Sequence, residues 1–300
     1  MGRIIKRVKR FVNLTKLNGL AWAFGTFSSK FVKKNRIPTE YRACFENKYG
    51  FEIGGPSSVF GQGGMWQIYN IVARIDNCNF SDRTIWEGKI KRGMNFQYHK
   101  HKKGHQYICE ATELSEIESK KYDFVVSSHV IEHIANPLKA LKELVRILKD
   151  DGVLLLIVPH KDGTSDYKRQ VTSVAHLIKD QENEIQEDDT THFNEVMKLH
   201  DLATDIDVKD MKTFKERIIK NRENRCLHHH SFDTALMTRI FELLNLQIIF
   251  VGTEAPHHII IMGKKTSGNQ KVDNKEFISS KAQFKKSSPF KSDRTERSSG

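Results

Sequence analysis

Tyr122-Asp-Phe-Val-Val-Ser-Ser-His-Val-Ile-Glu-His-Ile-Ala-Asn-Pro137 sets a buried strand directly before a polar turn and a helix start, and the rest of the chain reads outward from it. Phe124, Val125 and Val126 form the short apolar run of a strand covered on both faces. Ser127, Ser128 and His129 follow with small and polar groups at its carboxyl end, the edge where open α/β sheets carry chemistry. Asn136-Pro137 then opens a helix with Leu138, Leu141, Val145 and Leu148 at helical spacing. Asp150-Asp151-Gly152 turns the chain into the apolar run 153–158, which completes a strand, helix, strand unit.

The chain has 300 residues and is 38% apolar, enough for one sizeable α/β domain with extensions. Its charge of +12 is unevenly spread, with twelve Lys/Arg against two acids in residues 1–50 and ten against four in residues 264–300. The middle is therefore mildly acidic, which argues against a polyanion-binding cleft and puts any polyanion contact on the arms. Cys44, Cys78, Cys109 and Cys226 are scattered without a Cys-x-x-Cys pair, which predicts a reducing, cytoplasmic setting. No apolar run is long enough to span a bilayer.

The anchor unit resembles the fourth and fifth strands of class I S-adenosylmethionine-dependent methyltransferases, of the type 11-like kind. The resemblance rests on Ile131-Glu132-His133, Asn136-Pro137, Asp151-Gly152 and Val158-Pro159, taken together. It implies a seven-stranded, doubly wound, Rossmann-like sheet with helices on both faces, and S-adenosylmethionine as cofactor. Phe51-Glu-Ile-Gly-Gly-Pro-Ser57 resembles the family's first motif. Gly54 and Gly55 let backbone approach a ligand, and Glu52 is placed to hold the cofactor's ammonium. Gly61-Gln-Gly-Gly64 predicts an open loop where the family has a helix. Residues 68–76 read as the second strand, with Asp76 at the spacing of a ribose-binding acid. Residues 77–105 read as a polar loop whose His99, His101 and His105 are surrounded by lysines, and residues 106–112 as the third strand. Glu110 and Ala111 resemble the family's adenine-side segment, and Ser128 and His129 complete the expected cofactor set.

Residues 160–231 are too long for a connection and are read as an inserted, substrate-covering helical segment before the sixth strand. Methyl transfer needs in-line positioning and, for a hydroxyl acceptor, a base. His192, His228, His229 and His230 are the candidate catalytic groups there, each with the alternative of a structural histidine. His129, Glu132 and His133 share a helical spacing and look like the acid and Glu-His set of ubiquinone-pathway O-methyltransferases. With His129 in the acid's place the set is poor in hard oxygen ligands, so no metal is expected.

Residues 1–49 read as a basic extension whose first twelve residues form an amphipathic helix, either on a membrane or on its own domain. Residues 50–263 form the catalytic domain, and residues 264–300 read as a disordered basic tail. The reading reached is O-methylation of a small-molecule or glycan acceptor. A nucleic-acid methyltransferase and a non-catalytic cofactor-binding scaffold are the alternatives. The first of these is disfavoured by the absence of an Asp/Asn-Pro-Pro-Tyr/Phe tetrapeptide.

Overall fold

The structure is a computed structural model that describes residues 2–28, 37–268 and 270–295. The chain opens with helices α1 (Gly2–Asn18), α2 (Leu20–Ser28) and α3 (Thr39–Arg42). Strands β1 (Tyr49–Ile53) and β2 (Arg74–Asn79) follow, then a short hairpin, β3 (Arg83–Thr84) and β4 (Gly88–Lys89). Next come β5 (Gly93–His99), β6 (Lys102–Ile108), β7 (Tyr122–Ser128), α4 (Pro137–Ile147) and β8 (Leu148–Pro159). The insertion holds α5 (Val174–Glu182), α6 (Phe193–Leu199), α7 (Met211–Ile219) and α8 (Asn221–Asn224). The chain closes with α9 (Thr234–Leu243), β9 (Leu246–Glu254), β10 (His258–Lys265), α10 (Lys275–Ile278), α11 (Gln283–Ser287) and α12 (Lys291–Arg294).

The main sheet has the order β5-β6-β2-β1-β7-β8-β10-β9, eight strands where seven were expected. The extra strand is β5, antiparallel to β6 at the edge and lying inside the stretch read as a polar loop. It alternates exposed Met94, Asn95 and Gln97 with buried Phe96 and Tyr98, the pattern of an edge strand with one wet face. The second strand begins at Arg74 rather than Ile68, because Ile68, Tyr69 and Val72 are spent on the core while still in irregular turns. Strand β1 runs parallel to β2 on one side and β7 on the other, so the connection reverses direction there and opens a crevice at the carboxyl ends.

The anchor behaves as its sequence dictates. Asn136 caps α4 by accepting from the Lys139 N–H at 3.1 Å, with Pro137 in the first turn. Successive residues of β7 face opposite sides of the sheet. Val125 joins Leu138, Leu141, Met237 and Phe241 beneath α4 and α9, whereas Phe124 and Val126 join Phe45, Phe60, Trp66 and Tyr69. Helices therefore cover one face, and the other is covered mainly by aromatic turns from residues 59–72, not by the helical layer that a doubly wound sheet leads one to expect. The Gly61–Gly64 stretch has no helix, and packed aromatic rings order it.

Residues 264–300 were read as disordered, and the described part is packed instead. Lys264 and Lys265 end β10, and the Phe290 ring stacks on His160 at 4.1 Å. Asp293 is buried, 3.2 Å from His160 Nε2, and accepts from the Thr234 and Ser288 hydroxyls at 2.7 Å each. Residues 296–300 of that tail, like 29–36 of the basic extension, lie outside the described residues. Helix α1 packs on the insertion through its cations. Lys6 Nζ donates to the carbonyls of Leu202 and Asp205 at 3.1 and 3.0 Å, and Arg10 donates to Gly163 at 3.0 Å. Its apolar residues Ile4, Ile5, Val8 and Val12 are exposed. No described helix is long and apolar enough to cross a membrane.

Candidate active site

A cavity of about 290 Å³ lies at the carboxyl ends of β1, β2, β6 and β7. Gly54 and the turn Ser57–Val59 form its floor; Cys78, Asn79 and Phe80 come from the end of β2, and Cys109, Glu110 and Ala111 from the end of β6. Ser128, His129, Val130, His133 and Ile134 close the β7 side, while Trp86, Glu87 and Arg225 close the top.

The floor is shaped by side chains beneath it. Gly54 has φ +74°, and a Cβ there would come within 2.5 Å of Val130. Gly55 leaves room for Glu52, whose carboxylate carbon would be 2.3 Å from an added Cβ. Glu52 is fully buried and accepts from Tyr69 OH at 2.7 Å and from the Ser57 N–H at 3.0 Å. Burial pushes its pKa up to about 8 against those two hydrogen bonds. Asn77 and Asn79 tie the Gly55 carbonyl from below, each donating at 3.3 Å.

The expected cofactor residues therefore divide. Gly54, Glu110, Ala111, Ser128 and His129 line the cavity. Glu52 and Gly55 do not line it and instead set the turn above them. Asp76 is three residues short of the strand end and does not line the cavity. It accepts from Arg74 Nε and the His105 N–H at 2.8 Å each, and from Tyr122 OH at 3.1 Å, with Tyr49 OH a further partner. Counting from the glycines misplaces it because residues 54–73 follow turns rather than a regular helix; Asn79 occupies the strand end. Trp86, Asn79 and Arg225 were missed. Asn79 carries a signal as the polar last residue of β2, at the carboxyl end of the strand, whereas Arg225 reaches the site only through tertiary folding.

Arg225 clamps the insertion over the cavity. Its guanidinium lies 2.5 Å from Glu110 Oε1, pairs with Glu187 of the insertion, and sits 4.8 Å over the Phe80 ring. Glu187 also accepts from the Ala135 N–H at 3.1 Å, and burial holds its pKa up to about 7 although Arg225 opposes this.

At the β7 end, Glu132 is buried among histidines. Its Oε1 lies 3.6 Å from His129 Nδ1 and 3.8 Å from His133 Nε2, and its Oε2 is buried without a hydrogen bond. Burial would raise the Glu132 pKa, but His129, His133 and His228 outweigh it and lower it. Burial pulls His133 down to about 4. His228 stacks edge-on to His133 at 4.8 Å, and its Nδ1 is 2.7 Å from Asp166. His129 Nε2 lies 2.9 Å from His258 Nδ1.

Of the four candidate catalytic histidines, His228 brings its ring against this wall, while His229 meets it through its backbone N–H, which donates to the Glu132 carbonyl at 2.9 Å. His229 is fully buried against Asn221 at 3.1 Å, and burial lowers its pKa to about 3. His192 and His230 gather with His176 and Asp180 in a separate cluster that does not line the cavity.

The residues present fit S-adenosylmethionine. The cradle at Gly54, the volume, the small side chain of Ala111 in the lining and the buried Ser128 Oγ with no hydrogen bond of its own suit a small ligand with apolar and polar parts.

Residues 63–206 match the model of a methyltransferase domain family. No curated protein matches the chain. Solved structures similar to it include an S-adenosylmethionine-dependent methyltransferase from Aquifex aeolicus, 10% identical with a TM-score of 0.39, the match covering 85% of this chain and 98% of that one. Another from Mesorhizobium loti is 8% identical with a TM-score of 0.43, covering 82% and 98%. A third is the Burkholderia thailandensis 1,6-didemethyltoxoflavin-N1-methyltransferase with bound 1,6-didemethyltoxoflavin and S-adenosylhomocysteine, 9% identical with a TM-score of 0.43, covering 82% and 80%.

Proposed function

From a chain that carries a methyltransferase domain of the class I kind, with S-adenosylmethionine as methyl donor, we propose O-methylation of a small-molecule or glycan acceptor, with His228 as the base. Gly54, Ser57, Asn79, Glu110, Ala111 and Ser128 would hold the cofactor, which when bound supplies an electrophilic methyl group. The observation that carries the reading is the 2.7 Å contact between His228 Nδ1 and Asp166 Oδ2, beside the cavity wall at His133. A carboxylate on Nδ1 fixes the tautomer and leaves Nε2 free to accept a hydroxyl proton. Glu132 would offset the imidazolium that forms on His228, since its buried carboxylate lies in one cluster with His133 and His228. His129 positions the wall and, through His258, is tied to β10.

The small cavity under the Arg225 clamp favours a compact acceptor group over a duplex nucleic acid. Lys6 and Arg10 of the basic arm are taken up by backbone carbonyls, which further weakens the polyanion reading. The exposed Ile4, Ile5, Val8 and Val12 of α1, with Leu20 and Phe24 of α2, support a peripheral membrane contact. Flotation with anionic vesicles tests that contact, and Val8→Glu with Val12→Glu is expected to abolish it.

The test of the reaction is transfer from radiolabelled cofactor to fractionated hydroxyl-bearing metabolites and glycans. His228→Ala is expected to lower kcat by about 10²–10⁴-fold while leaving cofactor affinity within about twofold. Unchanged kcat in that variant, or label found only in nucleic acid, would contradict the proposal.

A further inference from the structure

Away from the cavity, four side chains of the insertion converge on one point. His176 and Asp180 lie one turn apart on α5, His192 precedes α6, and His230 lies on the return segment after α8. One nitrogen or oxygen from each lies within 4.8 Å of all the others. His176 Nε2 is 3.1 Å from His192 Nε2 and 3.3 Å from Asp180 Oδ2, and the His230 ring faces that same oxygen. A tetrahedral ion with bonds of about 2.0–2.1 Å separates its ligand atoms by about 3.3–3.4 Å, so the spacing is that of a ligand set already gathered.

Hydrogen bonds among these four do not account for the arrangement. His176 Nε2 has either one proton or one lone pair, yet faces both a second imidazole and a carboxylate. Asp180 Oδ2 is buried and has no hydrogen bond, and neither has the buried His230 Nδ1. Asp180 is 8% exposed and His230 1%, so water does not serve them, and groups left in that state cost stability. The surroundings match what metal-bound imidazoles use to fix their orientation. His192 Nδ1 faces Glu195 Oε2 at 3.6 Å, and Glu195 is itself held by Arg169 at 3.2 Å; the His230 Nε2–H donates to the Ala135 carbonyl at 3.1 Å, which leaves the unpaired Nδ1 as its ligand nitrogen. The His176 side chain is partly open to solvent and offers a way in.

We propose that His176, Asp180, His192 and His230 form a structural zinc site that closes the insertion on itself. Three imidazole nitrogens and one carboxylate oxygen are a borderline set that suits zinc and is too poor in hard oxygens for magnesium or calcium. Four protein ligands leave no open position, which marks a site that holds structure rather than one that activates water. The ion ties α5, the start of α6 and the return segment together beside Ala135, behind the cavity wall.

The test reads metal content, independently of methyl transfer. The full chain, dialysed against zinc and desalted, is expected to retain about one zinc per chain by mass spectrometry of the metal. Cobalt in its place is expected to give the intense visible bands of tetrahedral coordination. His176→Ala with His192→Ala is expected to lower zinc to below about a tenth per chain, whereas His129→Ala and His228→Ala, each from another histidine cluster, retain it. His192→Cys keeps a ligand atom and is expected to keep the zinc while changing the cobalt spectrum. Failure of the wild-type chain to hold zinc or give the cobalt bands would overturn the inference. So would full zinc in His176→Ala with His192→Ala, or loss of zinc from His129→Ala or His228→Ala instead.

Discussion

At Arg225 one side chain joins two parts of the molecule whose sequences give no hint of each other. Glu110 comes from the end of β6 and Glu187 from the insertion, and both carboxylates are drawn to the same guanidinium. Arg225→Ala leaves Glu187 buried without its cation. It is expected to cost about 3 kcal/mol in a urea titration, because breaking one side of a buried pair strands the other. Cofactor affinity should fall at least about tenfold as Phe80 and Glu110 lose their cover. A variant with wild-type midpoint and affinity would refute the clamp. Arg225 also has φ +51°, a left-handed backbone that Gly or Asn would normally fill. Gly54, read within the family resemblance as backbone that a ligand can approach, lines the cavity. Glu52 and Asp76 were misread because their side chains turn inward to Tyr69 and Tyr122.

Among the elements, β7 and α4 were readable because a continuous apolar run and a capped, Leu-rich helix each have one solution. Strand β5 was not, because its alternation is short and the hairpin beyond it is crowded with His and Lys. Between β8 and α9 the internal wiring depends on buried ion pairs, which length and composition do not foretell. His200 joins Asp166 and Asp205 at 2.9 Å each, and although burial pulls its pKa down, the two carboxylates push it up to about 9. A raised histidine contributes stability that is fully present below its unfolded value of about 6.5 and is lost as pH rises through its folded value. Asp205, held down to about 2 mainly against its own burial by His200, contributes stability that is lost as pH falls from about 4 through that value. The transition monitored on the insertion is therefore expected to move to lower temperature between about pH 6.5 and 9. His200→Gln should flatten that slope; a slope unchanged in the variant would assign it to other groups.

Over the whole molecule, the first helices and the last are knitted together beyond the carboxyl end of β8 and the β9–β10 turn. Asn18 of α1 accepts from the Lys291 N–H at 2.9 Å, Arg294 reaches the Asn18 carbonyl at 2.6 Å, and Phe290 closes over His160. The tail was misjudged because its aromatic residues Phe277, Phe284 and Phe290 follow no helical or strand period and act as separate plugs. Deleting residues 270–300 uncovers His160, Thr234 and Asp162 and removes the fully buried Phe290. A loss of about 3–5 kcal/mol is expected, as for removing a buried phenylalanine, and urea unfolding of the truncated chain checks it. An unchanged midpoint would show that the tail lies on the surface without holding it.

The proposed reaction requires that the cavity at the carboxyl ends of β1, β2, β6 and β7 take the cofactor. Calorimetric titration of S-adenosylhomocysteine into the wild-type chain and into Gly54→Val tests it most directly. The variant places a branched side chain at φ +74° against Val130 and should keep the wild-type circular dichroism spectrum while losing affinity. The predicted result is one-to-one binding by the wild type and at least about tenfold weaker binding by the variant. No binding by the wild type, or equal affinity in a folded Gly54→Val protein, would contradict it.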